Sequence, residues 1–232
     1  MGSVDGILAR MRQAGKLMNV KEKGDLGEDA VLDLCLGIKR SCNGILVQSF
    51  EYPYASNAQG KNYTGNIKFE NGQFVEYTDQ KGLHDEIDIL LVTNFRIFPI
   101  EVKSYKANIK IYDHWMDRDN NGPNAPKGMQ KVDKSPIAQC EKHARHLYHQ
   151  IYEVLPDGIP QYIVPMVCFV DRCTVDDDRS PQVQAYLPVT ILNTLRQTIY
   201  NYNQPLRYGL DLDAVRRRLN AIKTSTRKEF GL

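Results

Sequence analysis

The stretch from Asp88 to Lys103 reads DILLVTNFRIFPIEVK and consists of two short apolar runs separated by a polar turn. Runs of this kind on either side of a turn are typical of a β-hairpin. Because side chains two apart on a strand share a face, Glu101 and Lys103 are predicted to point the same way. Together with Asp88 they place three charges in otherwise apolar strands, and such charges are costly to bury without a partner. A divalent metal ion and a phosphate would be suitable partners.

The composition is ordinary for a globular protein. The 232 residues suggest one domain with a sizeable core and an appendage. Hydrophobic residues make up 42% and charged residues 25%, and the net charge is +2, so any nucleic-acid-binding surface must be local. No apolar run reaches the length of a membrane span, and the N-terminus lacks a signal-peptide pattern, so no membrane contact is expected.

Cysteine usage favours a reducing compartment. The chain has five cysteines, an odd number, and no C-x-x-C pair. Free thiols and a cytoplasmic location are therefore expected. A metal site built from Cys168, Cys173 and a histidine is a weaker alternative, because zinc sites usually show tighter paired spacing.

Hydrophobic periodicity and turn residues divide the chain into helices and strands whose order indicates a mixed α/β sandwich. The predicted helices cover 4–18, 25–39, 135–152, 188–202 and 211–228, and the predicted strands cover 45–50, 67–70, 73–77, 88–92, 97–103, 109–112, 163–170 and 183–187. Gly24 is expected to break the helical pattern. Asp25 is expected to cap the helix that follows, with Glu28 three residues later as in a capping box.

Two polar segments are predicted to lie outside the regular core. Residues 53–83 are irregular around one hairpin, whose turn is Asn71-Gly72, and are interpreted as an insertion. Residues 116–134 are rich in Asp, Asn, Gly, Pro and Lys and are predicted to form a mobile loop.

Five short motifs occur in a fixed order along the chain. They are Gly27-Glu28 at a helix start, Glu86-Ile87-Asp88-Ile89 and Ile100-Glu101-Val102-Lys103 on strands, Trp115 after the next strand, and Ser135-Pro136-Ile137-Ala138-Gln139 at a second helix start. In this order they resemble the nuclease-related domain, or NERD, of the PD-(D/E)xK nuclease superfamily, over roughly residues 21–202. Ser135 stands where the family has asparagine, and serine is still expected to cap the helix, with Pro136 at its first position. Pro99 also departs from the pattern, and because proline removes a ladder donor, a bulge or a sheet edge is expected there.

The resemblance implies a fold and a domain organisation. The fold would be α/β, with a restriction-endonuclease-like mixed central β-sheet flanked by helices. Residues 1–20 would form an N-terminal helical extension, 21–204 the nuclease-like domain, and 205–232 a basic C-terminal helix.

The resemblance also implies the chemistry of a site. Asp88 and Glu101 would bind Mg²⁺ or Mn²⁺, together with the backbone carbonyl of Val102. Lys103 would orient the attacking water and offset phosphate charge.

Two helical residues would complete this site. Glu28 would bind a second metal ion or a metal-bound water, and Gln139 would lie beside the metal. The alternatives are that Glu28 is only a capping acid, that Gln139 is solvated, and that Asp88, Glu101 and Lys103 form a structural ion cluster. Buried ion pairs contribute little net stability, which favours a functional role for the three strand residues.

The helix that carries Gln139 has two stripes. Spacing by three and four places Gln139, His143, His146 and Gln150 on one of them. The neighbouring stripe is apolar and is predicted to face the core: Cys140, Ala144, Leu147 and Ile151. If Gln139 faces the site, His143 and His146 line the same wall, where they would contact a nucleic-acid phosphate or tune a metal-bound water. The alternative is a plain polar helix face.

Basic residues cluster near the C-terminus. Arg216, Arg217 and Lys223 are candidates for binding a phosphate backbone, which would give salt-dependent affinity without sequence preference. A solvated helix face explains the same pattern.

The predicted function is that of a cytoplasmic Mg²⁺- or Mn²⁺-dependent nuclease that hydrolyses phosphodiester bonds, with DNA as the favoured substrate. A non-catalytic nucleic-acid-binding or regulatory module and an RNA-directed nuclease stay open as alternatives. The sequence also leaves a homodimer open.

Overall fold

The computed structural model describes residues 20–53, 65–70, 73–78, 84–105, 107–113, 116–119, 128–132, 135–171 and 173–232. The helix predicted over 4–18 and the motif residue Trp115 lie outside these ranges.

The described chain contains twelve strands and five α-helices, with the first eight strands between the first two helices. The strands are β1 (Ile45–Pro53), β2 (Gly65–Glu70), β3 (Gln73–Thr78), β4 (His84–Val92), β5 (Ile97–Lys103), β6 (Asn108–Ile111), β7 (Met116–Asp119), β8 (Met129–Lys131), β9 (Met166–Phe169), β10 (Thr174–Asp177), β11 (Val189–Ile191) and β12 (Lys228–Phe230). The helices are α1 (Val20–Cys42), α2 (Pro136–Ile151), α3 (Pro181–Tyr186), α4 (Leu195–Tyr202) and α5 (Leu212–Ile222). Short 3₁₀ turns occupy 152–162 between α2 and β9.

A six-stranded mixed sheet forms the centre, in the order β11-β9-β5-β4-β1-β12. The predicted hairpin is confirmed, since β4 and β5 pair antiparallel with Leu91 opposite Phe98. β9 lies parallel to β5, and β11 parallel to β9. The central strands are apolar on both faces because both faces are covered.

Helices cover this sheet on two sides and give a three-layer α/β/α arrangement. α1 and α4 pack on one face, where their apolar side chains join those of β4, β5 and β9. α2 and α5 pack on the other face. The predicted mixed α/β class is therefore confirmed. The apolar stripe of α2 faces the core as expected, with Leu147 and Ile151 fully buried.

α1 begins earlier than predicted. The helix runs through Gly24, so the predicted break is wrong, and Asp25 is an interior residue rather than an N-cap. A glycine in a helix interior costs about 1 kcal/mol relative to alanine. Burial of the apolar stripe that includes Val31 and Cys35 outweighs this cost.

α2 begins where the sequence predicts. Pro136 occupies its first turn, which suits a residue with no backbone N–H. Ser135 stands at the N-cap but its side chain makes no capping hydrogen bond. The expected capping role of the serine hydroxyl is therefore wrong, although the helix start is right.

The segment over 116–134 is not simply a loop. β7 and β8 lie within it and complete a second mixed sheet, in the order β10-β6-β7-β8. Met116 is fully buried and pairs with Ile111, so the start of β7 is anchored in the core. The predicted hairpin over 67–77 is confirmed as a separate two-stranded sheet, β2-β3.

The region after β9 differs most from the prediction. The strand predicted over 183–187 falls in α3, because Ser180-Pro181 begins a helix there. The helix predicted from 188 begins only at Leu195, because Val189–Ile191 pairs with β9 as β11. The helix predicted over 211–228 ends at Ile222, and the chain then forms β12, which pairs with β1 at the sheet edge.

Pro99 lies in an interior strand, so the expected bulge or edge is wrong. Its partner Leu90 is in register, and β5 has neighbours on both sides. The carbonyls of Ile97 and Lys103 both accept from the β9 side, so odd-numbered residues of β5 direct their backbone groups that way. Pro99 falls between the isolated bridge that joins Ile97 to Ile163 and the first β5–β9 pair, which involves Ile100. The missing N–H therefore coincides with a gap in the pairing on the β9 side, and the strand continues through it.

Among the described residues, no helix has the length and apolar character needed to cross a membrane. All five cysteines lie in described segments and are free thiols.

Candidate active site

The ladder between β4 and β5 ends at Asp88. Ile89 pairs with Ile100, but beyond that pair the Oδ2 of Asp88 accepts the N–H of Val102 at 2.7 Å. Across the other edge of β4, Ser49 adopts a left-handed backbone with φ of 53°. Asp88 therefore occupies a distortion between three strands, where a carboxylate replaces a backbone acceptor.

Glu101 and Lys103 face the α2 layer, as the spacing predicts. Lys103 Nζ donates to Glu101 Oε1, which confirms that the two side chains share a face. Glu101 is 1% exposed. Its second oxygen, Oε2, is buried and has no hydrogen-bond partner among the described residues. A carboxylate oxygen in this state is costly unless a further group binds it.

The electrostatics of the cluster favour a cation. Burial raises the pKa of Asp88, and the neighbouring Glu101 carboxylate raises it further, to about 7. Burial lowers the pKa of Lys103, but the carboxylates of Glu101 and Asp88 outweigh burial, and the net direction is upward. Two electrostatically coupled carboxylates thus share the charge of one ammonium group, which contacts Glu101.

Glu28 approaches this cluster from the opposite layer. It lies on α1, where its Oε2 accepts from Gln48 Nε2 at 3.3 Å. Burial raises the pKa of Glu28, and Glu28 in turn contributes to the raised pKa of Asp88. A capping-box role for Glu28 is excluded because α1 begins at Val20.

Gln139 lies in the first turn of α2, and its N–H donates to the carbonyl of Ser135 at 3.0 Å. Its side chain is half-buried and makes no hydrogen bond with any described residue. It lies one helical turn before His143, whose ring faces Glu101.

His143 and His146 lie on the face of α2 that packs on the sheet, and they are 7% and 6% exposed. His146 Nδ1 contacts the Oδ2 of Asp85, and His143 Nδ1 lies 3.4 Å from the Oε2 of Glu101. The alternative of a plain polar helix face is therefore wrong. Asp85 was missed by the sequence reasoning because it looks like one more strand charge, although it lies three residues before Asp88.

The basic C-terminal candidates are mostly engaged within the protein. Arg216 pairs with Asp213 on its own helix, and Lys223 Nζ lies 2.7 Å from Glu229 Oε2. Arg217 is exposed. The structure does not bring these residues together with the carboxylate cluster.

The residues present fit a divalent cation held by few protein ligands. A cation would bind the Glu101 oxygen that lacks a hydrogen-bond partner among the described residues, and it would reduce the repulsion between Glu101 and Asp88. Among the described residues, no three His, Cys, Asp or Glu side chains converge as a metal cage, which also leaves the Cys168 and Cys173 alternative without support. Mg²⁺ commonly takes one or two carboxylates and keeps several waters, so a two-carboxylate site suits it.

Comparison with known proteins gives one family. The model of the nuclease-related domain matches residues 54–170, which is half of the chain. The chain therefore belongs to the nuclease-related domain family. No curated protein and no solved structure matches the chain.

The matched span includes the strand and helix residues of the site but not all of its surroundings. Asp88, Glu101, Lys103 and His143 lie within it. Glu28 lies before its start, so the family match does not cover it.

Proposed function

We propose that this protein is a Mg²⁺- or Mn²⁺-dependent nuclease that hydrolyses phosphodiester bonds in DNA. The observation that carries the proposal is the cluster at the end of the β4–β5 ladder. Two carboxylates lie close to one ammonium group, and a buried carboxylate oxygen has no hydrogen-bond partner among the described residues. The family membership supports a nuclease-related role for the same residues.

Asp88 and Glu101 would hold the cation, with the backbone carbonyl of Val102 as a further ligand. A bound divalent cation lowers the pKa of water and neutralises charge on a phosphate. Asp88 is fixed for this role because its Oδ2 is held by the Val102 N–H, which leaves Oδ1 for another partner.

Lys103 would act on the water and the phosphate. Its ammonium is held beside Glu101 and stays charged, because the carboxylates raise its pKa. A fixed positive charge at this place stabilises negative charge that develops on the phosphate oxygens. Glu28 and Gln139 would border the site from α1 and α2, where each can hold a water.

The arrangement supports a PD-(D/E)xK type of active site. A mixed sheet is flanked by helices, an aspartate lies in one strand where its pairing with the next strand ends, and Glu-x-Lys lies on that next strand. The sheet holds the three side chains in place without the help of loops, which is how precise catalytic geometry is usually maintained.

The test is cleavage by the purified chain of a panel of linear, circular and single-stranded DNA and of RNA, with Mg²⁺, Mn²⁺ or EDTA. We expect metal-dependent cleavage of DNA that Lys103→Ala lowers by about a hundredfold or more, because one transition-state charge contact is lost. Asp88→Asn should act similarly. Asp157→Asn changes an exposed carboxylate in the 3₁₀ turns that follow α2 and should retain wild-type activity.

Three results would count against the proposal. Cleavage by Asp88→Asn at the wild-type rate would exclude this site. Binding of Mn²⁺ without cleavage of any substrate would favour a non-catalytic nucleic-acid-binding module. Cleavage confined to RNA would correct the substrate.

A further inference from the structure

A second polar cluster lies directly behind the candidate site, between β4 and α2. Asp85 is 5% exposed although it is charged, and it faces the α2 layer. His146 Nδ1 contacts its Oδ2, and Lys142 Nζ lies 3.2 Å from its Oδ1. Burial alone would raise the pKa of Asp85, but His146, His143 and Lys142 outweigh burial and lower it.

His143 connects this cluster to the candidate site. Its Nε2 lies 3.9 Å from Asp85 Oδ1, and its Nδ1 lies 3.4 Å from Glu101 Oε2. Glu101 Oε1 is taken by Lys103, so His143 is the protein group that faces the remaining oxygen. Each ring nitrogen of His143 is thus directed at a carboxylate of a different strand.

Hydrogen bonds between β1 and α2 fix the position of His143. The hydroxyl of Tyr52, a fully buried residue of β1, donates to the backbone carbonyl of His143 at 2.9 Å. A second bond of this kind, from Gln150 Nε2 to the carbonyl of Pro53 at 2.7 Å, ties the end of α2 to the same strand. The backbone that carries the imidazole is therefore held rigidly against the sheet.

We infer that His143, supported by Asp85, is a positioning residue that fixes the Glu101 carboxylate for cation binding. The inference rests on the proposed function and assigns the buried Asp85–His143–Glu101 series a role in the same site. Residues that orient metal ligands typically change metal affinity or activity by 10- to 100-fold when removed. A cluster that served stability alone would gain little, since buried ion pairs are often no better than apolar packing.

The experiment measures Mn²⁺ binding to the full chain by calorimetry, together with thermal unfolding. We expect His143→Ala and Asp85→Asn each to weaken Mn²⁺ binding by about tenfold or more. His143→Asn should recover most of the loss, because its amide can donate to Glu101 from the place of Nδ1. His149→Ala removes an exposed histidine of the same helix and should leave Mn²⁺ affinity unchanged.

A kinetic measurement separates positioning from folding. If His143 acts through Glu101, excess Mn²⁺ should restore most of the cleavage rate of His143→Ala, while the KM for DNA stays close to that of wild type. A structural defect would not be corrected by metal in this way.

Two outcomes would overturn the inference and can be told apart. If His143→Ala and His143→Asn lower the unfolding temperature but bind Mn²⁺ as tightly as wild type, the cluster is structural and only this inference fails. If Glu101→Gln and Asp88→Asn also bind Mn²⁺ as tightly as wild type, the proposed metal site itself fails, and the inference falls with it.

Discussion

Asp88 is the residue at which structure and chemistry are most closely coupled. It interrupts the ladder between two central strands, and its carboxylate accepts the N–H that the strand would otherwise pair. It also lies beside Glu101 in a largely buried place, which raises its pKa to about 7. An ordinary aspartate would be ionised well below neutral pH, so without a cation this residue opposes folding when it ionises.

The first residue-scale prediction concerns the stability of the metal-free protein. The folded pKa of Asp88 is raised above 3.8, so the folded state binds a proton more tightly than the unfolded chain. Its contribution to stability is full below pH 4 and is lost as pH rises to about 7. In EDTA, Asp88→Asn should therefore be more stable than wild type at pH 8, by on the order of 2 kcal/mol, and similar at pH 4.

Thermal unfolding between pH 4 and pH 8 checks this prediction, with Glu153→Gln as an exposed control. The side-chain oxygen of asparagine can still accept the Val102 N–H, so the variant keeps this hydrogen bond at the end of the β4–β5 ladder. If the unfolding temperatures of Asp88→Asn and wild type change with pH in parallel, Asp88 does not titrate in this range. Mg²⁺ should stabilise wild type at pH 8 and leave the variant unchanged.

At the scale of elements, the packing distance between α1 and the sheet decides how closely Glu28 approaches the site. A methyl group at Gly27 would lie 2.7 Å from a methyl of Val170 and 3.7 Å from one of Val102. At Gly27 the backbone of α1 therefore approaches the sheet too closely to leave room for a larger side chain. At Gly24, one turn earlier, no atom of the described residues lies within 4 Å of the corresponding position.

These two glycines provide a matched pair of substitutions. Gly27→Ala should destabilise the protein by about 1–3 kcal/mol, because the stiff Val170 side chain must move or α1 must lift away. Gly24→Ala should stabilise it by about 0.5–1 kcal/mol, because alanine is the better helix former and meets no obstacle. Urea unfolding measures both changes, and equal effects at the two positions would contradict the close seating of α1.

At the scale of the whole molecule, the C-terminal segment closes the edge of the central sheet. The N–H of Arg227 donates to the carbonyl of Gln48 on β1, and β12 continues the antiparallel ladder. The side chains of Arg227 and Lys228 pair with the α1 acids Asp25 and Asp29, at 3.0 Å and 2.8 Å. The end of the chain thus joins the sheet to the helix that carries Glu28.

Removal of residues 224–232 should lower the unfolding temperature by several degrees or more and cause concentration-dependent aggregation. The deletion exposes the backbone of β1, a long apolar strand that can pair with another chain. The double variant Arg227→Gln/Lys228→Gln keeps the backbone pairing and should lose no more than about 1 kcal/mol, because these ion pairs are half-exposed.

Unfolding curves and light scattering distinguish the two contributions. A double variant as unstable as the deletion would show that the ion pairs, rather than the strand pairing, hold the C-terminal segment in place. In that case high salt should lower the unfolding temperature of the wild type by as much as the double substitution does.

The sequence determined the features that depend on near neighbours. The hairpin from Asp88 to Lys103, the shared face of Glu101 and Lys103 and the apolar stripe of α2 follow from periods of two and of 3.6 residues. The period of a short segment does not decide its structure. The pattern over 183–187 predicts a strand, but most of these residues lie in α3, because a run of five residues fits either period.

Only the tertiary structure decided which distant charges meet. Asp85 and His146 are 61 residues apart, and Arg227 and Asp25 are 202 apart, so no local pattern connects either pair. The same holds for the C-terminal strand, which forms because the edge of β1 offers unpaired backbone groups. Packing of helices on both faces of the sheet then buries Asp85, His143 and Glu101 together, and burial is what makes their charges matter.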